Sequence, residues 1–260
     1  MLSTLERGVK GGRWYALMDK VFAPDNLRSA WARVRANDGA AGVDHQSVGA
    51  FEQNAARHLE EVGASLAAGT YRPQAVRRVH IPKPGRPGET RPLGIPSVRD
   101  RVVQTALRNV MEPIFEAGFA EHSYGFRPGR GTKDALRRVR KLIDEGYVHV
   151  VDADLKSYFD TIPHDALLER LQGRITDGSV LALVKTFLEA DVMEGSTNWT
   201  PEEGTPQGGV ISPLLANISL NDLAQLMASK GWQMIRYADD LVIVSEAQTN
   251  AERALADVRT

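Results

Sequence analysis

Residues 233–245 read Gln-Met-Ile-Arg-Tyr-Ala-Asp-Asp-Leu-Val-Ile-Val-Ser. Two short β-rich runs, Gln233–Tyr237 and Leu241–Ser245, flank Ala238-Asp239-Asp240, a pattern that predicts a hairpin with carboxylates at its tip. Upstream, Tyr147–Leu155 predicts another strand, in which Val148, Val150, Asp152 and Asp154 share one parity. A carboxylate at the end of an apolar strand is costly unless its charge is compensated. An Asp in a turn, by contrast, is common for conformational reasons alone. Each cluster by itself is more often structural; together they point to one acidic pocket where two or three carboxylates converge.

Oxygen ligands of this kind suit magnesium, which takes a few carboxylates plus substrate phosphates. The chain has no cysteine and no HExxH spacing, so zinc is a poor candidate. Two such ions about 4 Å apart can clamp the attacking and leaving oxygens of a phosphoryl transfer.

The rest of the chain is ordinary globular sequence. Of 260 residues, 42% are hydrophobic and 25% charged, which argues against disorder and excludes a fibre. The lack of cysteine removes disulfide scaffolds and thiolate chemistry together and fits a reducing compartment. Apolar runs are far shorter than the roughly 20 residues that span a bilayer, so no membrane partner is expected. The start, MLSTLERGVKGGRW, lacks the apolar core of a secretory signal. A cytoplasmic location is the expectation. Net charge is −1, but residues 70–140 carry a balance of +9 and residues 141–260 one of −10. A polyanion-binding surface beside a cation-binding one would produce this split, and so would two halves that neutralise each other.

Helical patterns are read at Leu27–Val34 and Phe51–Ala68, separated by the flexible stretch 37–42. A strand is read at Val76–Ile81, followed by a Pro- and Gly-dense loop over 82–88. Ser97 can cap a helix with Val102, Val103, Ala106, Leu107, Val110 and Met111 at helical spacing. Thr132 can cap another, with Ala135, Leu136, Val139, Leu142 and Ile143 on one face and Gly146 as its stop. The opposite face, Lys133, Arg137, Arg138 and Lys141, reads as solvated. Strands and helices mix without regular alternation, so the fold class is α+β. The sequence stops inside a helical pattern and looks cut there.

Two further segments suit a triphosphate. Prolines 82 and 84 hold the chain around Lys83 extended, so its ammonium can reach phosphates as a point charge, and Arg91 can grip phosphate oxygens bidentately. Alone, this is more often a plain surface loop. In Gly204-Thr-Pro-Gln-Gly-Gly209, Gly208 and Gly209 permit close backbone approach, and Gln207 offers an amide there.

These blocks, in this order, resemble a reverse transcriptase of the group II intron-encoded (maturase) family. IPKP and RPLGIPSVRDRVVQTAL resemble its first two blocks, SYGFRPGRGTKDAL the third, DADLKSYFD the first carboxylate motif, GTPQGGVISPLLANISL the next, and YADD the catalytic turn. NDGAAGVD at 37–44 is similar to the family's extra amino-terminal block.

The resemblance implies a right-hand polymerase fold with interleaved helical fingers and an antiparallel-sheet palm. Fingers are expected at 1–100 and 162–205, palm at 101–161 and 206–260, with the thumb absent. It implies Asp154, Asp239 and, less directly, Asp240 as ligands of two Mg2+ ions, with Mn2+ as an alternative. It also implies Lys83 and Arg91 on the triphosphate, Gln207 and Gly208 beside the nucleotide, Phe159 as the gate against a 2′-hydroxyl, and Tyr237 under the primer end. The implied activity is RNA-directed DNA polymerisation, adding deoxynucleoside triphosphates to a DNA primer on an RNA template such as a structured intron RNA, in a chain that can oligomerise. An RNA-binding maturase module, CRISPR-associated or domesticated reverse transcriptases, and palm-type cyclases are the alternatives.

Overall fold

The structure, a computed structural model, describes residues 12–83, 85–86 and 88–259. Most of the amino-terminal start read above, together with Pro84, lies outside the described residues. The chain forms two compact units, Met1–Ile114 with Phe159–Ser212, and Phe115–Tyr158 with Pro213–Thr260.

The first unit is mostly helical. Its amino-terminal part contains Pro24–Asn37, Val48–Glu52 and Ala55–Ala67. Pro24 suits the first helical position because its missing N–H would have no partner there. The single helix read at Phe51–Ala68 is interrupted. The first piece is capped by the Ser47 hydroxyl, and Asn54 at φ −132° restarts the second. Asn side chains compete with helical hydrogen bonding and favour such boundaries. The helix Val98–Glu116 begins as expected, with Ser97 Oγ accepting from Asp100 N at 3.1 Å. Its six expected apolar positions are wholly buried.

Strands β1 (Val76–Pro82), β2 (Thr90–Ile95), β4 (Val192–Glu194) and β5 (Thr197–Trp199) form a mixed sheet in the order β2-β1-β4-β5. Only β1 was expected. The others are short and lack a period-2 apolar pattern, and their hydrogen-bonding partners rather than local propensity make them strands.

The second unit is built on a three-stranded antiparallel sheet. Its strands are β3 (His149–Asp154), β6 (Gln233–Tyr237) and β7 (Asp240–Ser245), in the order β3-β7-β6. One face packs Val151, Ala153, Met234, Leu241 and Ile243 with Ala224 and Met227 of the helix Ser212–Ser229 and Ala254 of Gln248–Val258. The other face packs Ile235 and Val244 under Ala135 and Leu142 of the helix Thr132–Asp144. That helix starts at its expected cap, Thr132, so the cap lies one residue earlier. Gly131 is the cap, and its N–H is taken by the Asp134 carboxylate at 2.9 Å. On this helix Arg137 pairs with Asp134 at 2.7 Å and Arg140 with Asp144 at 2.9 Å.

Candidate active site

The hairpin sits where the sequence puts it. Tyr237 pairs with Asp240 across the two-residue turn Ala238-Asp239, and Ala238 takes a left-handed φ of +59°. A non-glycine residue in that region costs about 1 kcal/mol or more and persists only where its surroundings fix it. Here they do. A Cβ on Gly125 would collide with the backbone nitrogen of Ala238, so the glycine of Ser-Tyr-Gly-Phe-Arg lies flat against the turn.

Register decides the chemistry. β3 and β7 pair so that Asp154 stands opposite Asp240 and Asp152 opposite Val242. Directly opposed residues share a face, so Asp152, Asp154 and Asp240 lie on one side of the sheet, and all three are exposed. Val150, on the same side, is 54% exposed. This side of β3 is open to solvent. Burial first, then the negative charges of Asp239, Asp154 and Asp152, push the Asp240 carboxyl above the ordinary aspartate range.

Among the described residues, no three carboxylates or imidazoles converge into a ready-made ion cage. The donor set is a cross-strand pair with a third aspartate on the adjoining turn. Crowded like charge with only oxygen donors suits a hard divalent cation completed by substrate phosphates and water. Tyr237 is partly buried against the cluster of Tyr124, Ile235 and Val244.

Sequence reasoning overlooked the support of the turn. Arg236 is fully buried, yet its Nη1 donates to Ala238 O at 2.8 Å and Asn217 Oδ1 at 2.9 Å, and its Nη2 donates to Ser123 Oγ. Asn217 Nδ2 donates in turn to Gly125 O at 2.9 Å. The available signal was parity, because Arg236 alternates with Met234, a core residue.

The remaining candidates lie in the first unit. β1 and β2 pair with Ile81 opposite Arg91, and Lys83 N donates to Glu89 O at 3.0 Å. Lys83 Nζ lies 3.2 Å from Glu89 Oε2 and is partly exposed; Arg91 is exposed. A Cβ on Gly208 would overlap Gly94 O of β2, which shows how closely the two backbones approach. Gln207 O accepts from Gly94 N at the same place. Thr205 N donates to Phe159 O at 2.6 Å, joining the loop of Gln207 to the 3-10 turn Tyr158–Asp160. Val210 N and Ile211 N both donate to the buried Gln104 Oε1. Within this unit, then, Gln207 and Gly208 are brought to β2 and tied to Phe159.

The α+β architecture, with its helical first unit and carboxylate-bearing antiparallel sheet, is the fingers–palm fold of right-hand polymerases. The family model for reverse transcriptase (RNA-dependent DNA polymerase) matches residues 81–260, and the chain belongs to that family, which uses divalent metal ions. Among its relatives, protein YkfC of Escherichia coli K12 is 39% identical over 217 residues, covering 81% of this chain and 56% of that protein. The group II intron-encoded protein LtrA of Lactococcus lactis subsp. cremoris is 36% identical over 205 residues, covering 78% and 33%. The chain thus spans about half the length of the first of these relatives and a third of the second.

Among solved structures, a chain of a partial Cas6-RT-Cas1–Cas2 complex superposes with a TM-score of 0.58 at 23% identity, covering 94% of this chain and 42% of that one. Telomerase from Candida albicans gives 0.52 at 11% identity, covering 74% and 41%. No described helix is long and apolar enough to cross a membrane.

Proposed function

We propose that this chain is the fingers–palm part of an RNA-directed DNA polymerase of the group II intron type, which adds deoxynucleotides to a primer 3′-hydroxyl. The observation that carries the reading is the register of β3 and β7, which sets Asp154 opposite Asp240 beside the turn bearing Asp239. The first unit supplies the fingers and the second the palm. Asp154, Asp239 and Asp240 would hold two magnesium ions, or manganese. Bound there, such ions lower the pKa of the primer hydroxyl and offset charge on the leaving phosphates.

The chain's own groups do the rest. Lys83 and Arg91 neutralise and orient the triphosphate. Gln207 and Gly208 lie along the nucleotide, where the missing side chain allows close approach. The Phe159 ring occupies the space a 2′-hydroxyl would need, and Tyr237 supports the primer end. Template pairing supplies sequence information, so the RNA and DNA partners are held mainly through phosphates, with affinity that falls as salt rises. The protein works in the cytoplasm.

Primer extension on an RNA template with Mg2+ tests this, comparing the wild type with Asp154→Ala. Extension that disappears in the variant while its melting temperature holds supports the reading. Extension at the wild-type rate in Asp154→Ala, or none in the wild type, refutes it.

A further inference from the structure

Arg236 is a costly residue at its position. Its side chain is fully buried in the second unit, its Nε has no acceptor among the described residues, and no carboxylate there pairs with it. Burying a charge without a counter-ion is strongly unfavourable. A neutral side chain would fill the same space without that cost, so the guanidinium must supply something an apolar residue cannot.

Its contacts show what. The backbone of Arg236 is fixed on the open edge of β6 by Arg236 N to His122 O at 3.0 Å and Tyr124 N to Arg236 O at 2.9 Å. The side chain then turns back along its own strand, and Nη1 reaches the carbonyl of Ala238, two residues on. The same nitrogen is aligned by Asn217 Oδ1, and Nη2 by Ser123 Oγ. A guanidinium is planar and its donors keep fixed mutual directions, so two outer anchors define where the Nη1 hydrogens point. The Ala238 carbonyl belongs to the peptide leading into Asp239, in the turn whose φ is left-handed. Gly125 abuts Ala238 N and is tied to the same Asn217.

We propose that Arg236 is a positioning residue for nucleotidyl transfer. Anchored by Asn217 and Ser123 and donating to the Ala238 carbonyl, it fixes the peptide that aims Asp239 and Asp240, and so sets the metal-ligand geometry before substrate arrives. The proposal rests on the polymerase reading given above. It deepens that reading by assigning the orientation of the turn to a buried cation that touches neither substrate nor metal.

The test compares the wild-type chain with Arg236→Gln, Asn217→Ala and, as a control, Asn221→Ala. Asn221 braces the same helix by accepting from Ala120 N and donating to Gly118 O, away from the turn. Primer extension is measured well below each melting temperature, and Mn2+ binding is measured by electron paramagnetic resonance without turnover. Arg236→Gln and Asn217→Ala are expected to lose at least about tenfold in kcat, with nucleotide KM within about twofold, because the ligands are misplaced while triphosphate contacts remain. Both should bind Mn2+ more weakly. Asn221→Ala should lower the melting temperature but keep kcat and Mn2+ affinity.

Wild-type kcat and Mn2+ affinity in a folded Arg236→Gln would overturn the proposal. Should that variant not fold, wild-type values in Asn217→Ala would overturn it equally. Loss of kcat in Asn221→Ala matching the others would show that activity merely follows stability, and would also overturn it. A wild type that binds Mn2+ without extending primers would sink the polymerase reading instead, and the Mn2+ comparison would still decide the role of Arg236.

Discussion

Replacing Gly125 by alanine is a one-methyl perturbation aimed at the carboxylate turn. Its backbone φ lies outside the left-handed region, so alanine carries no conformational penalty there and only the contact matters. The added Cβ would collide with Ala238 N and stand 3.0 Å from both Ala238 Cα and Tyr237 C. All three are backbone atoms, which cannot rotate away as a flexible side chain would. Ordinary carbon contacts begin near about 3.5 Å, so the hairpin turn or the Gly125 backbone must shift by roughly 1 Å. The shift is resisted by Arg236 N to His122 O, Tyr124 N to Arg236 O and Asn217 Nδ2 to Gly125 O. Overpacking of this kind costs about 1–3 kcal/mol, or roughly 2–12 °C in melting temperature for a domain of this size. A displacement of that order at metal ligands lowers turnover by up to about a hundredfold.

Thermal melting and single-nucleotide primer extension check both figures. Gly49→Ala serves as the control, because its Cβ would meet nothing within 4 Å and alanine favours the helix. A Gly125→Ala protein with wild-type melting temperature and turnover would refute the packing argument.

Three other outcomes are expected. The folded state raises the Asp240 carboxyl, so the stability gained by keeping it neutral is present below about pH 4 and is lost as pH rises through the folded value. Metal-free Asp240→Asn should therefore be more stable than wild type at neutral pH, by up to about 1 kcal/mol for so exposed a group, and Mg2+ should stabilise the wild type more than the variant; urea titrations with and without metal decide it. Asp177 accepts from four backbone N–H groups, Leu17, Met18, Ser179 and Val180, and Asp177→Ala should cost about 2–4 kcal/mol in chemical denaturation, with Asp177→Asn recovering part of it. Phe159→Val should incorporate ribonucleotides at least about tenfold better relative to deoxynucleotides, and unchanged sugar selection would remove the ring from its gate role.

Much of this molecule is legible without coordinates, where the signal is local. The helix from Val98 follows from a serine cap and six apolar residues at helical spacing. The hairpin follows from two β-rich runs around Ala-Asp-Asp, and the family from ordered blocks. Local rules fail where the partner is distant. Strands β2, β4 and β5 carry no period of their own: β2 and β4 exist because β1 lies beside them, and β5 because it pairs with β4. Phe51–Ala68 divides at Asn54, and Gly131 rather than Thr132 caps its helix.

The sequence by itself determined which residue types are available for chemistry and roughly which elements carry them, because propensity, capping and periodicity act over a few residues. Only the tertiary structure decided that Asp154 faces Asp240. A slip of one residue between β3 and β7 would turn those carboxylates to opposite sides, and such pairing is settled by the buried faces of a whole sheet. The same holds for Arg236, whose partners Ser123, Asn217 and Ala238, distant or nearby in sequence, are brought around it only by the fold.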